Sequence, residues 1–291
     1  MCARRICGGE RGTMYSAPSP PPAAGMSLRE ATLADLDAMT WVLVAASPLD
    51  PVYPYRFPDR LSYPAEFAQL CRQKCREYLA TSTVMVCEME AWPSFPSASE
   101  CGQKARRVVA FSAWDAPVAQ STPPHVAEPL SKPVHNPVSP VTIGNQDRMN
   151  AFRKACQENK ASFFDARYPR GHMFLKILLC HPDYQRKGAG QALTTWGINR
   201  AKALGLNTTV FASPMGHRLY KKLGFQPIGS FRVQLVGDED FLEIPALIFK
   251  PQDDGQHEVR PVKRAATRET MVLRVQSTFH HTREIQVRTD E

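Results

Sequence analysis

Between residues 26 and 250, short apolar runs alternate with stretches in which apolar residues recur every three or four positions. That is the pattern of strands interleaved with amphipathic helices. Ser27–Ala31 reads as a strand, and Thr32-Leu33-Ala34-Asp35 opens a helix whose apolar face is Leu36, Met39, Leu43 and Val44. A proline- and aromatic-rich loop follows over 47–63, and Pro64 starts a helix carrying Phe67, Leu70, Cys71 and Tyr78. Thr83–Glu88 and Arg107–Trp114 read as paired strands across a turn-rich stretch around Pro93 and Gly102. Helical rhythm returns between Gln146 and Phe164, in Met149, Phe152, Ala155 and Cys156. Met173–Leu179 is a nearly continuous apolar run, as expected of a strand buried on both faces. Leu193, Gly197, Ala201 and Leu204, with Trp196 beside them, then form one face of a helix. Asn207–Ala212 is a β-branched strand, Ser213-Pro214 caps a short helix that ends at Phe225, and 225–250 supplies the last strands.

Three segments fall outside this rhythm. Residues 1–25 hold three arginines and the run Ser16-Ala17-Pro18-Ser19-Pro20-Pro21-Pro22 without the apolar core of a secretory signal, so a disordered extension is expected. An organellar presequence is the alternative there. The stretch 116–141 carries seven prolines in 26 residues, more than a helix or interior strand tolerates, and reads as a mobile insertion. Residues 251–291 are polar and expected to be disordered, although Met271–Val275 and Glu284–Arg288 alternate enough to permit a hairpin. The folded part is therefore expected to be one domain over 26–250.

Charge and cysteine usage narrow the function classes. Of the net charge of +8, residues 1–25 contribute +2 and 251–291 nothing, which leaves +6 on the middle of the chain. A polyanionic ligand profits from such a field, as would nucleic acid, but no aromatic-interleaved basic stripe or zinc-finger spacing supports the latter. No apolar stretch approaches the ~20 residues needed to cross a bilayer. The eight cysteines include no C-x-x-C pair, which points to a reducing, cytoplasmic setting. Cys71 and Cys75 lie one helical turn apart with no histidine at matching spacing, so they read as buried thiols and no metal is expected.

The chemistry concentrates at residues 180–191, where the central strand meets the following helix. Gly188 and Gly190 lack side chains, so backbone N–H groups of the turn and of the first helical residues can approach an anion closely. The helix dipole, Arg186 and Lys187 add attraction. A diphosphate fits. The spacing matches neither a nucleoside-triphosphate loop nor a dinucleotide fingerprint. It is Gln185-x-x-Gly188-x-Gly190, and a second motif follows about thirty residues on, Leu219-Tyr220-Lys221-Lys222-Leu223-Gly224-Phe225. Together these resemble the two ordered motifs of the GNAT superfamily of N-acetyltransferases, and the layout resembles fungal GNAT-domain proteins.

The resemblance implies an α/β fold, a central mixed sheet flanked by helices whose splayed strands form an acyl-CoA cleft. It implies acetyl-CoA as co-substrate, with the pantetheine arm on the backbone of Leu178, Leu179 and Cys180. The pyrophosphate is expected on Gln185, Arg186, Lys187, Gly188, Ala189, Gly190 and Gln191. Ser213 stands where many relatives place a CoA-binding Asn, and it is also an ordinary N-cap residue. Tyr220 matches the acid that protonates the leaving thiolate.

An amine attacks a thioester only when neutral, so a base must take its proton, and the carbonyl oxygen needs a preorganised donor as negative charge develops. Some relatives carry a Glu on the central strand, and here that position is Lys176, which leaves Glu88, Glu90, Asp115 and His172 as candidates or a water-mediated relay. Cys180 is expected to be a strand thiol and not a covalent nucleophile. The loop Asp50–Phe57 is expected to wall the acceptor, and its aromatics suggest a semi-apolar one. Acetyl transfer to the amine of a small molecule or secondary metabolite is the first expectation. Transfer to protein lysines or N-termini, and a non-catalytic acyl-CoA-binding module, are the alternatives.

Overall fold

The computed structural model describes residues 25–90, 106–117 and 143–251. The chain divides into two units, Met1–Gln252 and Asp253–Glu291, and every described residue lies in the first. Nearly all of the N-terminal extension, the proline-rich insertion and the polar tail falls outside the described residues.

The elements are β1 (Met26–Glu30), α1 (Leu36–Ala46), α2 (Val52–Arg56), α3 (Pro64–Thr81), β2 (Thr83–Glu90), β3 (Arg106–Asp115), α4 (Gln146–Lys160), β4 (His172–Cys180), α5 (Ala189–Ala203), β5 (Asn207–Phe211), α6 (Pro214–Lys222), β6 (Gln226–Gln234) and β7 (Phe241–Phe249). The strands form one open, mixed sheet in the order β1-β2-β3-β4-β5-β7-β6. Among the described strands only β4 and β5 run parallel, and α5 is the crossover that parallel neighbours require. The pattern-based order of elements holds with three differences. The stretch 47–63 contains α2 and flanking 3-10 turns in place of a plain loop, and Pro54 is accommodated because the first turn of a helix needs no N–H donor there. On α1 the buried residues are Leu36, Met39, Val42, Leu43 and Ala46, while Val44 is half-buried. Leu204 caps the C-terminus of α5 and is 47% exposed, so the buried face of α5 ends at Ala201.

Helices cover both faces. Arg29 and the Thr32 backbone N–H both bond Asp35, which fixes the entry to α1. Burial opposes ionisation of Asp35, but the Arg29 guanidinium outweighs it and holds the carboxyl below its usual range. On one face α1 and α3 pack on β2 and β3 through Met39, Val42, Leu43, Cys71 and Cys75. Burial pushes the thiols of Cys71 and Cys75 up to about 12, so they act as small apolar groups. On the other face α5 seats directly over Trp114 of β3, a fully buried side chain whose Nε1 donates to Ser112 Oγ at 2.9 Å. A Cβ at Gly197 would come within 2.2 Å of the indole. Gly197→Ala is therefore expected to lower the melting temperature, by ~1–3 kcal/mol of overpacking in thermal unfolding, although Ala is the better helix former.

β4 holds the features that shape the site. It pairs with β3 over Phe174–Cys180, and Lys176 is an extra residue in that ladder, between Leu175 opposite Trp114 and Ile177 opposite Ala113. This bulge bends the strand. Below it, His172 is buried, with Nδ1 2.6 Å from Thr209 Oγ1 and Nε2 2.8 Å from Asp165 Oδ1. Asp165 ends a π-helical turn, Ala161–Asp165, that extends α4 and sets Phe164 on the sheet. Burial holds the His172 imidazole below its usual pKa in spite of Asp165. Among the described residues, no helix is long and apolar enough to cross a membrane.

Candidate active site

The parallel pairing of β4 with β5 covers only His172–Leu175 against Asn207–Val210. Beyond Leu175, among the described residues, β4 continues to Cys180 with β3 alone, while β5 stays with β7, Ala212 N–H donating to Pro245 O at 2.9 Å. The two central strands therefore part. Alternate backbone N–H and C=O groups of β4 between Lys176 and Cys180 face the gap without a strand partner. Side chains there alternate between faces: Leu179 joins the core under α1, and Leu178 packs on the α5 face.

At the end of β4 the chain turns without leaving the gap. His181 N–H donates to Val109 O at 2.8 Å, and Gln185 Nε2 reaches back to Cys180 O at 3.3 Å. Arg186 and Gly188 adopt left-handed conformations, φ +63° and +94°, a backbone reversal that aims successive N–H groups into one concavity. Gly188 is the N-cap of α5 and supplies no side-chain acceptor, so the first N–H groups, at Ala189, Gly190 and Gln191, have no side-chain cap. Arg186 and Lys187 are exposed beside them. A Cβ on Gly190 would lie 3.3 Å from Leu219 of α6 and 3.8 Å from Leu178 of β4, so α5, α6 and β4 converge there. The turn thus joins a positive helix end, two cations and a backbone concavity.

The other wall of the gap comes from α6 and from the segment after α1. Ser213 is the N-cap of α6, but its side chain makes no capping bond, and its hydroxyl favours the ionised form of Asp50. Asp50 also accepts from Val52 N–H at 3.1 Å, and burial raises its carboxyl above the usual range. Tyr220 is buried against Phe225 and over Gly216. Burial, with the Asp50 charge adding, lifts its phenol well above the ordinary value. Asp50 was foreseen only as part of an acceptor wall; its interaction with Ser213 and its effect on Tyr220 had no sequence signal, because 163 residues separate Asp50 from Ser213.

The sequence-derived candidates for a base are engaged elsewhere. Glu88 lies on β2, in ion pairs with Arg29 at 2.7 Å and Arg106 at 3.8 Å. Glu90 ends the same strand. Asp115 is held by Lys176 at 3.2 Å and by Ser82 Oγ at 3.0 Å. His172 is fully occupied by Thr209 and Asp165. Cys180 has its thiol pushed up to about 11 by burial, far from the thiolate a nucleophile needs. On the α4 face of the parting strands, Phe174 and Phe211 are half-buried and meet edge to face at 5.6 Å, with Phe231 4.9 Å from Phe211. Phe174, Phe211 and Phe231 therefore make an apolar wall on that face, and β5 leads from Phe211 directly to Ser213 at the start of α6.

Residues 156–227, which span β4, the turn, α5, β5 and α6, match the family model described as an acetyltransferase (GNAT) domain. An acetyltransferase of the fungus Stachybotrys chartarum is 25% identical over 224 residues, covering 75% of this chain and 88% of the relative. Among solved structures, an agmatine N-acetyltransferase superposes with a TM-score of 0.50 at 15% identity, over 77% of this chain and 99% of that one. A polyamine N-acetyltransferase of Drosophila melanogaster does so with a TM-score of 0.47 at 16% identity, over 78% and 100%.

Proposed function

We propose that this chain, which belongs to the GNAT acetyltransferase superfamily, transfers an acetyl group from acetyl-CoA to the amine of a small molecule by direct attack within one ternary complex. The observation that carries the reading is the parting of β4 from β5 at Leu175, directly before a turn with two left-handed residues. The chain's own groups fit acetyl-CoA. A backbone edge without a partner strand suits an amide-bearing pantetheine arm, and the concavity from Gln185 to Gln191 suits a diphosphate.

Acetyl-CoA bound there supplies an acyl group activated as a thioester. In this reading the backbone of Leu178–Cys180 orients the arm and offers an N–H to the carbonyl oxygen as charge develops on it. Arg186 and Lys187 add to the attraction for phosphate. Tyr220, kept protonated by burial, hands its proton to the leaving sulfur. The inertness of the Cys180 thiol supports direct attack over an acyl-enzyme. Phe174 and Phe211 support an acceptor with an apolar body, such as a secondary-metabolite amine, and the free cysteines suit work in a cytoplasmic setting.

One observation favours a second reading. Lys176 is tied to Asp115 where some relatives carry a catalytic Glu, as would suit an acyl-CoA-binding module without turnover. Free-thiol release from acetyl-CoA, measured with a panel of small amines and a lysine-bearing peptide, separates the readings. Turnover is expected with apolar-bodied amines. Tight acetyl-CoA binding without thiol release from any acceptor would establish the binding module, and turnover confined to the peptide would move the acceptor to protein.

A further inference from the structure

We propose that Arg56 sets the specificity of the acceptor site, and that the acceptor carries a carboxylate as well as its amine on an apolar body. The proposal rests on the acetyl-transfer reading above and deepens it, since that reading names an apolar-bodied amine and leaves the acceptor's other groups open.

Arg56 ends α2 between two apolar clusters that α4 bridges, with Met149 against one and Phe152 against the other. Its guanidinium lies 5.1 Å from the ring centroids of Tyr53 and of Phe57 and 4.5 Å from that of Phe152. Tyr53 and Phe57 belong to the cluster on which Ile177 and Leu179 pack, both from the part of β4 beyond its pairing with β5. Phe152 and Phe211, the last residue of β5, both pack on the cluster of Tyr55 and Phe231. The cation therefore stands where the packing rooted on one parting strand meets the packing rooted on the other. The backbone holds it there as well, because Asn145 N–H donates to Arg56 O at 2.9 Å and ties the end of α2 to the start of α4.

The charge of this half-buried side chain is not answered within the fold. Nε donates to Val52 O, 3.1 Å away in the same helix. Among the described residues, neither terminal nitrogen has a hydrogen-bond partner and no carboxylate forms an ion pair with it. Arg148 is the contrast: it lies 4.7 Å from the ring of Tyr55 and holds both Asp238 at 2.6 Å and Asp240 at 2.8 Å. Asp50 feels the charge of Arg56 but gives an oxygen to Val52 N–H at 3.1 Å and makes no ion pair. A guanidinium taken partly out of water without a counter-ion is costly, and an arriving anion offsets that cost. Rings against a guanidinium occupy its faces and leave its edge, a fork of N–H donors that fits a carboxylate through two parallel bonds. A single guanidinium matches the single charge of a carboxylate better than a phosphate dianion. The competing account makes Arg56 only a packing link between α2 and α4, and that role gives no preference for the charge of an acceptor.

The test uses three benzylamines that share the primary amine and the apolar ring and differ only at the para position, which bears a methyl, a carboxylate or a second aminomethyl group. With wild type, kcat/KM from thiol release should be ~10–100-fold higher for the carboxylate than for the methyl compound, and the diamine should be poorest because its second ammonium meets Arg56. Arg56→Gln should erase the difference between carboxylate and methyl compounds, chiefly by raising KM for the carboxylate. Arg56→Lys keeps the charge without the fork and should keep part of the preference. The ratio between the amines is the readout, because damage to packing lowers both together. If Arg56→Gln does not fold, the wild-type ranking and Arg56→Lys decide. A preserved ratio in a folded Arg56→Gln protein, or a wild type that takes the methyl compound or the diamine as readily as the carboxylate, would overturn the assignment and leave acetyl transfer standing. If wild type releases no thiol with any amine, the transfer reading fails and the acceptor subsite fails with it.

Discussion

Replacing Tyr220 by Phe is expected to lower kcat by ~10²–10⁴-fold while acetyl-CoA affinity and the melting temperature stay close to wild type. The ring is what packs, against Phe225 at 5.5 Å between centroids and over Gly216, and Phe preserves it. Only the hydroxyl is lost. Burial and the Asp50 charge both hold the phenol protonated at neutral pH, which is the form an acid must start from. The sign of the pH effect follows. An acid with a raised pKa sustains activity until pH climbs through that pKa, so any alkaline limb due to Tyr220 should vanish in the variant while the acid limb remains. Single-turnover measurements, in which chemistry and not product release sets the rate, decide the matter. Undiminished single-turnover rates in a folded Tyr220→Phe protein would return Tyr220 to a packing role.

Gly188→Glu is expected to abolish most of the affinity for acetyl-CoA. Gly188 sits at φ +94°, where a side chain is strained by ~1–2 kcal/mol, and a Cβ there would meet Met26 Cε at an ordinary 3.6 Å. The penalty is thus in the backbone, with no collision to relieve. The carboxylate adds a like charge. At about 5 Å from a phosphate charge and an effective dielectric of about 20, this costs ~3 kcal/mol, or roughly 100-fold in Kd. Gly188→Ala carries the strain without the charge and should lose much less. Calorimetry that finds Gly188→Glu binding as tightly as wild type would remove the turn from the phosphate site.

What the sequence disclosed about this site was local. The turn from Gln185 to Gln191 and the Tyr220 motif each lie within a dozen residues, and glycine spacing beside an apolar run carries a backbone meaning that no distant contact has to supply. The strands and the longer helices were legible for the same reason, since periods of two and about 3.6 are written along the chain. Asp50 was legible only as part of an acceptor wall. In the run Pro48-Leu49-Asp50-Pro51 it has the look of a turn residue, and the effect of its charge on Tyr220 is a product of the fold. Glu88, Glu90, Asp115 and His172 attracted attention because they flank strands, but their partners, among them Arg29, Lys176 and Thr209, are set by pairing between segments far apart in sequence. The end of the β4–β5 ladder is likewise a property of two strands together, and no pattern within Met173–Leu179 marks Leu175 as the last paired residue.

The extra residue in β4 has a consequence for how this cleft can vary over time. Because Lys176 has no counterpart on β3, the parity of the strand reverses there: Met173 and Leu175 share a face with Leu178 and Cys180, although odd and even numbers would separate them. Deleting one residue between Leu175 and Leu178 would make the ladder regular and leave the faces as they are, because the remaining residues already alternate in step with β3. Leu179 would stay in the α1 core, and what would be lost is the local bend of β4 just past its last pairing with β5. A further residue has no such spare place: inserted between Ile177 and Leu179 without a second bulge, it would turn the end of the strand over. The strand can therefore give up its extra residue at the cost of the bend, whereas it cannot take another without reversing the faces that lead into the turn.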